Sequence, residues 1–212
     1  MRTIVRRAFL SVASPILLCL GVAALFRPDA AAQQPILPVP LMPFGDGQDS
    51  VLVAPLRYQI GQSAFIITVP AGFVTDFAST PRAIWAILPP SGRYQLAAVV
   101  HDFLYWDQGC TRQQADDLLR AAMAESQVKP RERDLIWQAV RRFGGTAWDG
   151  NTSAKAAGKP RIIPPDAMNI PALVTWPEYQ AQLIARGVKP SPTPTTPPDY
   201  CGAAGEVNLQ QP

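Results

Sequence analysis

The stretch YQLAAVVHDFLYWDQGCTRQQADDLLRAAM, residues 94–123, decides the fold. Leu96, Val99, Val100, Phe103 and Leu104 recur at helical spacing, which predicts a helix over about Tyr94–Trp106. Thr111 reads as the cap of a second helix, because Gln114 follows three residues later as in a capping box. Ala115, Leu118, Leu119, Ala122 and Met123 then form one apolar stripe. The connection Asp107-Gln108-Gly109-Cys110 is short, so the two helices are predicted to lie antiparallel.

Working outward, Pro130 suits the first position of a third helix. Leu135, Ile136, Ala139, Val140 and Phe143 line its core face, and Gly144-Gly145 is expected to stop it. On the N-terminal side, Val51–Tyr58 and Ala64–Val69 are β-branched or aromatic runs separated by Gln59-Ile60-Gly61-Gln62-Ser63, a hairpin pattern. Gly72–Pro81 reads as a structured loop and Ala83–Leu88 as a short apolar helix. The expected fold class is α+β, a short N-terminal β-hairpin followed by a three-helix core with an antiparallel helix pair. The expected organisation is an export signal (1–32), a Pro/Gly-rich lead-in (33–50) and a globular core domain (51–150). A loop with a short C-terminal helix (151–188) and a Pro-rich tail (189–212) complete the chain.

Arg2, Arg6 and Arg7, then a mostly apolar run from Ala8 to Phe26, then Ala30-Ala31-Ala32, follow the order of a cleaved export signal. Arg6-Arg7-Ala8-Phe9-Leu10 also resembles a twin-arginine signal, with Val5 where Ser or Thr is usual. The expected location is periplasmic or secreted. Residues 1–32 hold four arginines and one aspartate, a net +3 that equals the net charge of the whole chain. The remainder is near neutral, which gives no reason to expect nucleic acid as a partner. Cys110 and Cys201 remain outside the signal, and spacing leaves open whether they pair.

His101 is the only histidine among 212 residues, which rules out any two-histidine zinc motif. No GxSxG elbow, phosphate loop or clustered-cysteine zinc motif is present. At about 100° per residue, His101 falls roughly 120° from the centre of the first helix's apolar stripe, with Tyr105 on the same flank. That placement argues against a fully buried histidine. Asp102 points to another part of the polar face. Asp116 lies at the edge of the second helix's stripe, where it is able to meet His101, while Asp117 points away as a solvated charge. A histidine oriented by a carboxylate from another element is a general base for activating water.

The strings GFVTDFASTPR, AAVVHDFLYW, TRQQADDLLRAAM and AVRRFGG resemble a phage-associated family of unknown activity, domain of unknown function 1353. More locally, His101-Asp102-x-x-Tyr105 with Arg112-x-x-x-Asp116 is similar to the helix pair of bacterial secreted phospholipases A2. That resemblance implies His101 as the water-activating base, Asp116 with Tyr105 orienting it, and Asp102 binding Ca2+. The glycine- and cysteine-rich calcium loop of those enzymes is missing here. Asp76, with Ser79 and Thr80, is the substitute source of oxygen ligands, although Asp76 also reads as a loop-capping residue. The implied function is an exported hydrolase that cleaves an envelope lipid ester, with a phospholipid or other envelope substrate such as a cell-wall component as partner and with peripheral membrane contact. The alternative is a non-catalytic phage-derived envelope- or virion-associated binding protein that keeps the helix pair as scaffold. Trp85, Trp106, Trp137 and Trp148 read as packing residues, and Arg131, Arg133, Arg141 and Arg142 as a basic surface.

Overall fold

A computed structural model describes residues 36–77 and 94–205. The expected export signal, the helix over 83–88 with Trp85, and Ser79 and Thr80 lie outside the described residues. The strands are β1 (Leu41–Pro43), β2 (Ser50–Leu52), β3 (Leu56–Gln59), β4 (Ile66–Val69) and β5 (Val74–Thr75). The helices are α1 (Gln95–Asp107), α2 (Arg112–Glu125), α3 (Pro130–Phe143), α4 (Gly145–Ala156) and α5 (Trp176–Ala185). Short 3-10 turns occupy Pro165–Ala167 and Asp199–Gly205. The class is α+β, with antiparallel strands preceding the helices.

The hairpin is β3–β4, with Leu56 opposite Val69 and Gln59 opposite Ile66. Its period of two puts Leu56, Tyr58, Ile67 and Val69 in the core and Arg57, Gln59, Ile66 and Thr68 outward. The predicted first strand, 51–58, is in fact two strands. Val53-Ala54-Pro55 bends the chain, Val53 N donates to Pro40 O, and Ser50–Leu52 joins a separate sheet of order β1-β2-β5. Proline supplies no N–H for a ladder, which is why the run breaks there. Residues 33–50, read from composition as a lead-in, supply β1, the first residue of β2, and the buried side chains Ile36 and Phe44.

Gly72 ties this sheet to a distant segment. Its φ is +81°, and Ile163 O occupies the place a Cβ would take. Gly72 N donates to Leu52 O, and Ile163 N donates to Gly72 O. The three-stranded sheet and α5 share a core of Phe44, Val51, Val74, Ile163, Tyr179 and Leu183. A larger core joins the hairpin to α1, α2 and the inner faces of α3.

The helix pair forms as its sequence dictates. Gln108 ends α1 in the left-handed conformation (φ 57°), with its N–H donating to Leu104 O. Thr111 then starts α2, accepting from Gln114 N (3.2 Å) while Thr111 N donates to Gln114 Oε1 (2.9 Å). This reciprocal cap satisfies two orphan donors within a few residues of the preceding helix end. Gly144-Gly145 ends α3 at Phe143, as expected, and a new helix, α4, follows directly. Gly144 keeps a right-handed φ of −69°, so its N–H still reaches Val140 O and α4 begins at once. The Pro-rich tail does not hang free, because Cys110 and Cys201 form a disulfide that places the last 3-10 turn on α2.

Glu125, at the C-terminal end of α2, is 2% exposed and accepts from Gly61 N (2.9 Å) in the hairpin turn. Burial raises its pKa to about 7 from an ordinary 4.5, more than the Gly61 bond lowers it. The folded protein therefore holds this proton across a range where the unfolded chain has released it. Stability falls as pH rises from about 4.5 to about 7, by a contribution on the order of 3 kcal/mol. In Glu125→Gln, which keeps an acceptor for Gly61 N, the urea midpoint is expected to change less between these two pH values than in the wild type. An unchanged pH slope would contradict this assignment.

Candidate active site

The expected contact between His101 and Asp116 is present. His101 Nε2 on α1 lies 3.1 Å from Asp116 Oδ1 on α2. Tyr105, one turn beyond His101, donates to the same oxygen at 2.6 Å, and the two rings sit with centroids 4.1 Å apart. The i, i+4 spacing on α1 is what aims both groups at one carboxylate. The other oxygen, Oδ2, accepts from Arg112 Nη1 at 3.3 Å, and Arg141 Nε of α3 lies 3.8 Å away. Arg112 Nη1 also donates to Val140 O and Arg141 O at 3.2 Å, joining α2 to the end of α3. Three helices thus converge on Asp116.

Burial differs from the helical-wheel expectation. His101 is 1% exposed, and Asp102, Tyr105 and Asp116 are fully buried. The flank predicted to face outward is covered by elements that a single-helix projection does not contain. Thr75 of β5 donates to Asp102 Oδ2 at 2.5 Å, and Trp148 of α4 packs edge-on against Tyr105 with centroids 5.2 Å apart. Gly144 permits this closure: a Cβ there would run into the Tyr105 hydroxyl and Val140 O. Burial first, and the Asp116 charge second, push the Tyr105 phenol well above its ordinary range, so it remains a donor.

Asp117 is also not the free charge that its angle suggested. It accepts from Trp137 Nε1 (3.0 Å) and Arg141 Nη2 (2.6 Å). Trp137 lies between Arg120 and Arg141, whose guanidinium carbons are 4.8 Å and 5.1 Å from its ring centroid. The expected basic surface is correspondingly reduced, since Arg141 is engaged here and Arg133 is buried.

Of the residues proposed for calcium, Ser79 and Thr80 lie outside the described residues, and both aspartates have protein partners. Asp102 is committed to Thr75, and Asp76 accepts from Arg161 Nη2 at 3.0 Å. Among the described residues, no group of three or more His, Cys, Asp or Glu side chains is arranged to hold a metal ion. Arg161 was missed by sequence reading because it lies 85 residues from Asp76 and carries no motif. Nearby Asp49 was missed as well. Burial, then the Asp76 charge, raises its pKa to about 6 despite Arg161. An apolar cavity of about 320 Å3 is lined by Met42, Phe44, Val51, Ile170, Leu173 and Val174 among others, and by none of the predicted site residues.

An α+β domain with a buried His–Asp pair on antiparallel helices is what the fold and site define. Residues 50–140, less than half of the chain, match a family model described as protein of unknown function (DUF1353). The match takes in His101, Asp102, Tyr105 and Asp116, and stops one residue before Arg141. No curated protein and no solved structure matches the chain significantly. Among the described residues, no helix is long and apolar enough to cross a membrane.

Removing one partner from this network leaves buried polar groups unsatisfied. Tyr105→Phe is expected to cost about 1.5–3 kcal/mol, the range for a hydrogen bond to a charged group. Asp116→Ala is expected to cost about 3–5 kcal/mol, because it strands buried donors and an arginine. Combined, the two changes should cost less than their sum, since both remove the same bond. Urea unfolding of the three variants checks this, and strict additivity would contradict it.

Proposed function

We propose that His101 and Asp116 are the general-base dyad of an ester hydrolase acting on an envelope lipid. The observation that carries this reading is the 3.1 Å approach of His101 Nε2 to an Asp116 oxygen already fixed by Tyr105. Asp116 accepts from Tyr105 and Arg112, so Nε2 carries the hydrogen and Nδ1 keeps the lone pair. Among the described residues, none forms a hydrogen bond to Nδ1. Nδ1 takes a proton from water as the water oxygen attacks the ester carbonyl. The imidazolium then returns that proton to the departing alkoxide as the C–O bond breaks, giving an acid and an alcohol. Asp116 orients the ring and offsets the imidazolium charge, while Tyr105 and Arg112 orient Asp116.

The lipid substrate rests on the likeness of this helix pair to secreted phospholipases A2, and the envelope location on residues 1–32. The step as written uses only protein groups and water, and Asp76 and Asp102 each accept a hydrogen bond from a protein donor. The burial of His101 and Asp116 favours a second reading, a phage-derived envelope- or virion-associated binding protein in which the same network is scaffold.

Fatty-acid release from phosphatidylglycerol vesicles, with and without added Ca2+, separates the two. On the dyad reading, the purified chain releases fatty acid, and folded His101→Ala and Asp116→Asn variants lose about 10²–10⁴-fold of that rate. Equal release by all three proteins, or none by any, would sink the dyad. Retention of all three on envelope fractions would then identify the scaffold.

A further inference from the structure

The C-terminal strap is built differently from the rest of the chain. Residues 189–198 contain five prolines, which supply no N–H for a ladder. Among the described residues, the backbone hydrogen bond that the strap makes outside its 3-10 turn is also internal, from Cys201 N to Pro198 O. Its polar hold on the body is Lys155 Nζ, which donates to Thr193 Oγ1 and to Asp107 O, each at 3.0 Å. Its packing hold is at the α1–α2 turn. A Cβ on Gly109 would lie 3.0 Å from Pro198 Cδ and 3.1 Å from Pro194 Cγ, so both rings rest against bare backbone. Beyond them, Tyr200, Cys201 and Ala203 pack against the main core. The covalent hold is Cys110–Cys201, joining positions 91 residues apart.

By contrast, α1 and α2 carry their own holds: the Thr111–Gln114 capping box, the Asp116 network and a shared apolar core. None of these uses a strap residue except the core contacts of Tyr200, Cys201 and Ala203. Strap and body therefore differ in what keeps them in place, which is the condition for one to open without the other.

We propose that Cys110–Cys201 is a thiol-operated latch, and that its reduction lifts the 189–205 strap from the α1–α2 turn while the body stays folded. A dithiol reductant supplies the two electrons and two protons. Its thiolate attacks one sulfur, the other leaves as a thiolate, and the second reductant thiol resolves the mixed disulfide to give two protein thiols and an oxidised reductant. The turn so released joins the helices that carry His101 and Asp116, but the latch is independent of whether His101 is catalytic.

Chymotrypsin cleavage after Tyr200 in the full chain tests the latch, with thiols counted in parallel and helix content followed by circular dichroism. On reduction with dithiothreitol, two thiols appear, cleavage accelerates at least about tenfold, and helix content changes only slightly. Cys201→Ser reproduces the fast cleavage without reductant. Gly109→Ala, which wedges the proline rings, speeds reduction with both cysteines intact. Continued protection of Tyr200 in the reduced protein and in Cys201→Ser overturns the proposal. So does loss of helix content together with the strap, which would make the bond a staple for the whole domain.

Discussion

A single buried carboxylate organises the helical half of this protein. Asp116 is inaccessible to solvent, and its oxygens receive Tyr105 and Arg112, with His101 and Arg141 beside them. A carboxylate taken out of water is strongly unfavourable unless its lone pairs are matched, so the partners and the fold are mutually dependent. The groups around Asp116 come from α1, α2 and α3, and loss of the Tyr105 or Arg112 bond would leave a buried lone pair unmatched. Trp148 brings α4 into the arrangement through its contact with Tyr105.

The rest of the architecture serves to hold that meeting point. The tight Gln108–Thr111 connection fixes the register of α1 on α2, with Gln108 Nε2 donating to Trp148 O to tie the turn to α4. On the opposite side, β5 reaches α1 through the bond from Thr75 to Asp102. Gly144 both follows the end of α3 and leaves the room in which Tyr105 sits. The site is thereby pre-organised and buried, properties that suit either a general base awaiting substrate or a structural core of polar groups.

Features set by neighbours in sequence were legible, and those set by distant partners were not. Thr111 and Gln114 form their cap from residues three apart, and His101 and Tyr105 share a face because α1 is helical. The antiparallel pairing followed from the short connection and brought Asp116 within reach. Burial of His101 and Asp102 was illegible because Thr75 lies 27 residues from Asp102, and the segments that cover α1 leave no mark on its own periodicity. Asp117 looked solvated for the same reason, since Trp137 and Arg141 belong to α3. Val51–Tyr58 read as one strand because the turn residue Pro55 was outweighed by the apolar residues around it. The tail read only as a Pro-rich extension because prolines exclude helix and sheet, whereas its position is set by Cys201 and ring packing on Gly109.

The central claim is that His101 donates through Nε2 to Asp116, and a chain with one histidine allows an unambiguous test. Imidazole 15N spectra of the labelled protein report which ring nitrogen carries the hydrogen in the neutral form. A protonated Nε2 is expected, with a slowly exchanging N–H signal that is lost in Asp116→Asn or strongly shifted there. A hydrogen on Nδ1, or an Nε2–H signal that ignores the Asp116 substitution, would contradict it.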